Sequence, residues 1–136
     1  MTEYAGRVTE EDRRFFRQAH TILKPGGFMV WGNAIPDRAW QPCFDFMKSI
    51  GLEVLEVEDV TEEAVIARDE DAARIDVYIE QALDMFPAFR TPFLGARKRN
   101  EAALAMKNLC RDPGTRLYDD MKTRADTYKV VLARKV

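Results

Sequence analysis

The chain has 136 residues, of which 46% are hydrophobic and 32% are charged, and its formal net charge is −2 at pH 7. This length suits one domain that buries roughly two-thirds of its unfolded surface, and the composition is that of an ordinary globular protein. A charge so close to neutral excludes a general electrostatic attraction to nucleic acid or to acidic membranes, so neither is expected as a partner.

Membrane insertion and disulfide chemistry also find no support in the sequence. The longest apolar runs have four or five residues, which is too few for a bilayer-spanning helix, and no signal-peptide segment follows Met1. Cys43 and Cys110 are widely spaced and lie in no Cys/His cluster. This spacing predicts two reduced thiols and no metal site, and we expect a cytoplasmic location.

The first helix is predicted to begin at Thr9, because Thr9 is followed by three carboxylates that favour the positive end of a helix. Its apolar residues recur at helical spacing and should form one stripe that faces a sheet. That stripe contains Phe15, Phe16, Ala19, Ile22 and Leu23. His20 lies off the stripe and has no acidic partner one turn away, which favours a solvated surface residue over a catalytic base.

A sharp turn at Pro25-Gly26-Gly27 ends this helix. Pro25 fixes its own φ, and the two glycines permit the positive φ that such a reversal often needs. We expect Gly27 to have a positive φ, or to lie so near a neighbouring helix that a Cβ would clash. The consecutive apolar residues from Phe28 to Trp31 then predict an interior strand covered on both faces.

A second helix and a second strand are predicted next. The helix ends at Gly51, which suits a C-terminal cap, and the strand covers residues 52–60. Three glutamates and an aspartate on this strand favour a position at the edge of the sheet, where charge discourages pairing with other chains.

Residues 61–126 are predicted to be helical, with breaks at proline and glycine. The first helix of this region starts at Thr61 or at Asp69, in which case Asp69-Glu70-Asp71 would cap it, and it continues to about Phe86. A helix over about residues 95–110 should carry Leu104, Met106, Leu109 and Cys110 on or near its buried side, and Thr115 should cap a short helix. The β-branched run over 127–134 closes the chain as a strand, so the order of elements indicates half of an α/β domain.

The amino-acid sequence of the turn resembles a motif of a known protein family. Leu23-Lys24-Pro25-Gly26-Gly27 before an apolar strand resembles the motif that leads into the fifth strand of class I S-adenosylmethionine-dependent methyltransferases. Ile50-Gly51-Leu52-Glu53-Val54 is similar to their entry to strand six, and residues 128–135 are similar to their closing strand seven. The resemblance covers about Thr9 to Val136.

The resemblance implies an α/β fold with part of the Rossmann-like methyltransferase sheet. Strands 5, 6 and 7 would be present, with the antiparallel seventh strand between the other two. Residues 1–136 would form a single domain, the C-terminal half of the methyltransferase fold, in which residues 61–126 are a helical insertion that acts as a lid over a small-molecule acceptor.

The cofactor loop of that family has no counterpart in this sequence. The family holds S-adenosylmethionine on a glycine-rich loop after its first strand, whereas the seven glycines of this chain form no G-x-G pattern. The resemblance therefore implies S-adenosylmethionine as the cofactor of the family, but no cofactor-binding residue can be named here. The half that should bind it would lie before Met1.

Three residues at the carboxyl end of the first strand are candidates for substrate binding: Trp31, Asn33 and Trp40. Open α/β sheets place their ligands at this end of their strands. Asn33 could orient an acceptor hydroxyl, and the tryptophans could pack on an apolar or ring-shaped substrate. In the alternative interpretation, Asn33 forms a turn and both tryptophans belong to the core.

The insertion supplies a second group of candidates, the aromatic residues Tyr78, Phe86, Phe89 and Phe93. They would line a hydrophobic acceptor pocket if the insertion is a lid; alternatively they pack the insertion itself. No catalytic residue can be named, because methyl transfer requires alignment of the reacting atoms more than it requires a strong acid or base.

Two functional hypotheses follow from these observations. In the first, the chain is the substrate-lid half of a methyltransferase that acts on a small hydroxylated or amino metabolite. In the second, it is a non-enzymatic remnant of the methyltransferase fold that dimerises or binds a partner. We expect either a homo-oligomer or a complex with a chain that carries the N-terminal half.

Overall fold

A computed structural model describes residues 8–90 and 94–136 of the chain. Within these ranges the strands are β1 (Phe28–Pro36), β2 (Leu52–Asp59) and β3 (Asp126–Lys135). The α-helices there are α1 (Glu10–Ile22), α2 (Trp40–Ser49), α3 (Thr61–Asp84), α4 (Leu94–Leu109) and α5 (Arg116–Lys122). Short 3-10 helices span Asp37–Ala39 and Pro87–Arg90. None of the helices in the described ranges is long and apolar enough to cross a membrane.

The chain divides into two compact units. The first, here called the sheet unit, comprises residues 1–61 and 124–136, and the second, the helical unit, comprises residues 62–123. These limits fall within three residues of those predicted for the helical insertion. That the two units together form one domain stays a prediction.

The sheet has the strand order β1-β3-β2, and β3 runs antiparallel to both of its neighbours. The last strand of the chain therefore lies between the two earlier ones, as the resemblance to strands 5, 6 and 7 implies. The predicted fold class, α/β with part of a Rossmann-like sheet, is confirmed by this arrangement together with the structural comparisons given below. The edge position predicted for β2 is confirmed as well.

Helix α1 begins as predicted, but its buried stripe is narrower. The Thr9 side chain accepts a hydrogen bond from the Asp12 amide at 3.1 Å and so caps the helix. Phe16 is fully buried, whereas 46% of Phe15 and 81% of Ile22 are exposed. Both exposed residues lie about 100–120° round the helix from Phe16, on a flank that the sheet does not cover.

The turn after α1 has the geometry of a type II β-turn. Gly27 N donates to Lys24 O at 2.8 Å, Pro25 occupies the second position, and Gly26 at the third position has φ +77°. The positive φ expected for Gly27 therefore belongs to Gly26. Gly27 is instead a site of close approach, since a Cβ there would lie 2.9 Å from Lys24 O, and the neighbour is the turn's own carbonyl rather than a helix.

Strand β1 is covered on one face, so the prediction of an interior strand with two buried faces was wrong. Burial alternates along β1, with 60% of Phe28 and 70% of Val30 exposed. The core lies on the opposite face, where Ile35 of β1 and Val131 of β3 pack against Phe16 of α1 and Met47 of α2. We call the face that carries Phe28 and Val30 the open face of the sheet.

The helical unit differs from its prediction in two places. Helix α3 starts at Thr61 and continues through Asp69, so Asp69 caps no helix and instead accepts a hydrogen bond from the Tyr118 hydroxyl. Leu104 and Leu109 of α4 are exposed, whereas burial was expected. The cap of α5 was correctly predicted, because the Thr115 side chain accepts from the Tyr118 amide.

Candidate functional site

Polar side chains of the sheet unit gather where β1 and β2 end and β3 begins. Sheets of this class bind their ligands beyond the carboxyl ends of their strands. Strands β1 and β2 run in the same direction, so their carboxyl ends lie at the same end of the described sheet. The residues concerned are Trp31, Asn33, Asp37, Trp40, Asp59, Thr127 and Lys129.

A chain of hydrogen bonds crosses this end of the sheet. The Trp40 indole N–H donates to Thr127 Oγ1 at 2.9 Å, and the Thr127 hydroxyl donates to Asp37 Oδ1 at 2.9 Å. Trp40 and Thr127 are both buried, so each polar atom has the partner that burial demands. Trp40 thus packs in the core and holds Asp37 in place through Thr127.

Lys129 lies in the middle of a row across the three strands. It is paired directly with Asn33 on β1 and with Asp59 on β2. Only 20% of its side chain is exposed; its Nζ lies 3.6 Å from Asp37 Oδ1 and 5.7 Å from the centre of the Trp40 ring. The row therefore places Lys129 and Asn33 directly opposite each other on the same face of the sheet.

Asp59, which is paired with Lys129 across the sheet, has other hydrogen-bond partners. Asp59 accepts hydrogen bonds from the backbone and hydroxyl of Thr61 and from the Arg124 guanidinium. Partial burial tends to raise the pKa of Asp59, but these hydrogen bonds outweigh it and lower the pKa below its usual value. Asp59 is thus ionised. It binds Thr61 at the start of α3 and forms an ion pair with Arg124.

The structure brings the three predicted residues of the sheet unit together. The rings of Trp31 and Trp40 lie 5.2 Å apart, and Phe16 meets Trp31 edge-on at 4.8 Å. The Asn33 side-chain oxygen accepts from the amide of Ala34, and Asn33 lies within β1 rather than in the turn of the alternative interpretation. Both tryptophans have packing contacts, and whether Trp31, Asn33 or Trp40 also binds a substrate stays a prediction.

The aromatic candidates of the helical unit are partly exposed. Tyr78 and Phe86 present more than half of their surface to solvent, and Phe86 packs edge-on against Phe89 with ring centres 5.8 Å apart. Phe93 lies outside the described residues. That these side chains line an acceptor pocket stays a prediction.

Sequence reasoning did not identify Lys129, Thr127 or Asp37 as candidates for this site. Their proximity depends on the antiparallel register of β1 and β3, which pairs Asn33 with Lys129 and Pro36 with Asp126. The signal that could have revealed them is the strand order implied by the resemblance, combined with a count of residues along both strands.

The described residues do not fit S-adenosylmethionine in the manner of a glycine-rich loop. Such a loop needs glycines at a strand-to-helix turn, where the backbone can touch the ligand. The glycine nearest to such a turn is Gly32, which lies inside β1 and is paired with Val130 of β3 rather than placed at a strand-to-helix turn. The turn from β2 to α3 contains no glycine.

Comparison with solved structures agrees with this topology. The chain aligns over 96% of its length with a protein from Galdieria sulphuraria assigned as a sarcosine dimethylglycine methyltransferase, with a TM-score of 0.57 and 15% identity. It aligns over 96% with the [4+2]-cyclase SpnF, with a TM-score of 0.59 and 17% identity. These matches show a shared fold of the Rossmann-like methyltransferase type.

The chain spans about half the length of the solved structures it matches, 50% of the first and 46% of the second. The sequence matches no protein-family model and no curated protein. The fold assignment therefore rests on structural similarity, without support from sequence similarity.

The helical unit contains an acid pair, the buried Asp112 and the half-exposed Asp76, that sequence reasoning did not identify. Only 3% of Asp112 is exposed, and its burial, followed by the neighbouring Asp76 carboxyl, raises the pKa of Asp112 to about 6. Lys107 and Arg68 oppose this increase in part. Among the described residues no group of three His, Cys, Asp or Glu side chains could hold a metal ion, so we interpret the pair as a proton-binding group.

We expect the Asp112→Asn variant to be more stable than the parent above pH 6. The folded chain binds this proton more tightly than the unfolded chain, so the parent loses stability as the pH rises from about 4 to about 6. An increase of about two pKa units corresponds to at most about 3 kcal/mol. The asparagine amide can donate to Asp76 at every pH, which should flatten the dependence.

Urea unfolding of the parent and of Asp112→Asn between pH 4 and pH 8 measures this effect. The exposed Asp119→Asn, in the same unit, is the control and should follow the parent. Curves of Asp112→Asn and parent that stay parallel over this range would show that the pair binds no proton near pH 6.

Proposed function

We propose that this chain is the acceptor-binding half of an S-adenosylmethionine-dependent methyltransferase that acts on a small hydroxylated or amino molecule. The observation that carries the proposal is the strand order β1-β3-β2, which the methyltransferase resemblance implies, and it is supported by the likeness in fold to a solved structure assigned as a methyltransferase. In support, one of these proteins is named for sarcosine and dimethylglycine, which are small amino compounds.

The proposed acceptor site lies at the polar end of the sheet unit. Trp31 would provide an apolar wall, and Asn33 would orient a polar group of the acceptor by hydrogen bonding. S-adenosylmethionine would supply the methyl group, held by polypeptide beyond these 136 residues. The contribution of the residues described here is alignment of the acceptor, which is what methyl transfer mainly requires.

A second candidate function is a non-enzymatic module that dimerises or binds a partner. It is favoured by one observation, the uncharged edge strand β1. The likeness to a cyclase adds that this fold serves more than one chemistry, because function resides in the site rather than in the fold. The free thiols of Cys43 and Cys110 suit the cytoplasm under either proposal.

Tryptophan fluorescence tests acceptor binding. Small hydroxylated and amino compounds are titrated into the chain, and at least one class should give a saturable change that Trp31→Phe reduces. Lys48→Gln serves as the comparison, since Lys48 lies on the exposed side of α2 and its replacement leaves both tryptophans in place. Failure of both classes to bind, in a chain that remains folded, would leave the partner-binding module as the better proposal.

We expect the 136-residue chain alone to give no saturable heat with S-adenosylmethionine in isothermal titration. The physical reason is the absence from the described residues of a glycine turn that lets the backbone approach the cofactor. Micromolar affinity would show that these 136 residues bind the cofactor by themselves. The proposal of a half enzyme would then be withdrawn.

A further inference from the structure

We infer that Lys129 and Asn33 form a carboxylate-binding site, and that the acceptor carries a carboxylate group. That the bound molecule is the methyl acceptor rests on the proposed function. The binding site itself is derived from the geometry of the sheet unit, where the two residues are directly paired across β1 and β3.

Both side chains have hydrogen-bond donors available for a ligand. The Asn33 oxygen accepts from the Ala34 amide, which turns the two N–H donors of its side chain away from that contact. The Lys129 ammonium has three donors, and its distance of 3.6 Å from Asp37 Oδ1 exceeds the 2.7–2.9 Å that is typical of a charge-assisted hydrogen bond. A carboxylate has two oxygens and could accept from both residues at once.

The nearby acids leave the charge of Lys129 only partly balanced. Asp59 is committed to Thr61 and Arg124. Asp37 Oδ1 already accepts from the Thr127 hydroxyl, and 59% of the Asp37 side chain is exposed, so water screens its attraction for Lys129.

The surroundings of Lys129 strengthen its interaction with an anion. Four-fifths of the side chain is buried, and the Trp40 ring lies 5.7 Å from the ammonium. A partly buried charge interacts more strongly than one in bulk water, because the effective dielectric constant is lower. The low exposure also fixes the side chain, so little conformational entropy is lost when a ligand binds.

Glycolate and glycolamide are suitable probes, because they differ only in the replacement of a carboxylate by a neutral amide. Each is titrated into the folded chain at constant ionic strength and followed by tryptophan fluorescence. We expect saturable binding of glycolate and at least tenfold weaker binding of glycolamide.

Four variants assign the site. Lys129→Gln and Asn33→Ala should each weaken glycolate binding at least tenfold. Lys129→Arg keeps the positive charge and should bind glycolate nearly as tightly as the parent. Lys48→Gln, on the exposed side of α2, is the matched control and should bind as the parent does. Circular dichroism and thermal midpoints identify any variant that fails to fold, and the probe comparison on the parent still decides the question in that case.

Three results would overturn the inference: no binding of glycolate, equal binding of the two probes, or undiminished glycolate binding by a folded Lys129→Gln. Its failure is distinguishable from failure of the proposed function. If glycolate binds through Lys129 but other acceptors show no competition with it, the anion site stands and the acceptor assignment falls. If amines or hydroxyl compounds bind without the carboxylate preference, the acceptor site stands and this inference falls.

Discussion

Valine at Gly27 is expected to lower the midpoint of thermal unfolding by roughly 5–10 °C, the change that a loss of ~1–2 kcal/mol produces in a domain of this size. A Cβ at this position would lie 2.9 Å from Lys24 O, closer than real contacts of this kind. The obstructing atom is backbone, and it accepts the hydrogen bond that closes the turn. The clash therefore opens the turn itself rather than displacing a flexible side chain.

The turn also positions the sheet, which adds to the cost. Gly26 N donates to Lys135 O, and Lys135 N donates to Gly27 O, both at 2.9 Å. Gly26 has φ +77°, a conformation that β-branched residues rarely adopt. Valine at Gly26 should thus be harmful as well, for a different reason.

Gly32→Ala is the matched control for the turn variants. Gly32 lies in β1, and a Cβ there would meet Tyr128 and Val130 at the ordinary contact distances of 3.6–3.7 Å. We expect its midpoint to stay within about 2 °C of the parent, as for other strain-free substitutions. A Gly27→Val midpoint that also stays in that interval would contradict the structural role assigned to the turn.

Local signals in the sequence predicted local structure well. The cap at Thr9, the turn at Pro25-Gly26 and the cap at Thr115 each depend on residues within four positions of one another, and the structure confirms them. The strand order could be predicted only through the family resemblance. The composition of residues 126–135 predicts a strand but does not indicate which other strands it pairs with.

Faces and contacts between distant residues were harder to predict. Phe28 and Val30 are apolar like buried residues, but an apolar run does not state how many faces of its strand are covered. The site around Lys129 depends on the register between strands that are more than 90 residues apart in sequence. A shift of one residue would have directed Lys129 to the open face.

The sheet unit is expected to associate through β1. The sheet order places β1 and β2 at the two edges of the described sheet, and the two edges differ in how they are protected. Strand β2 carries Glu53, Glu56 and Glu58 and has a register irregularity next to Leu55, and charges and bulges of this kind discourage further pairing. Strand β1 has no charged residue in its nine positions.

The open face next to that edge adds an apolar surface. Phe28 and Val30 are mostly exposed, and the Tyr128 ring lies beside Gly32 on the same face. Apolar surface that continues onto an unprotected strand edge is characteristic of protein interfaces. We therefore expect the chain to form a homo-oligomer, or to pair with a chain that carries the complementary half of the fold.

Val30→Lys should abolish this association without unfolding the chain, because 70% of Val30 is exposed and a lysine there can reach water. Val77→Lys is the matched control, since 53% of Val77 is exposed but it lies on α3 in the helical unit. Sedimentation at micromolar concentration should show species larger than 15.7 kDa for the parent and for Val77→Lys, and the monomer for Val30→Lys. A parent that sediments as a clean monomer, with the β1 amides strongly protected from hydrogen exchange, would show that this edge is covered within the chain. The uncharged sequence of β1 would then be explained by intramolecular packing.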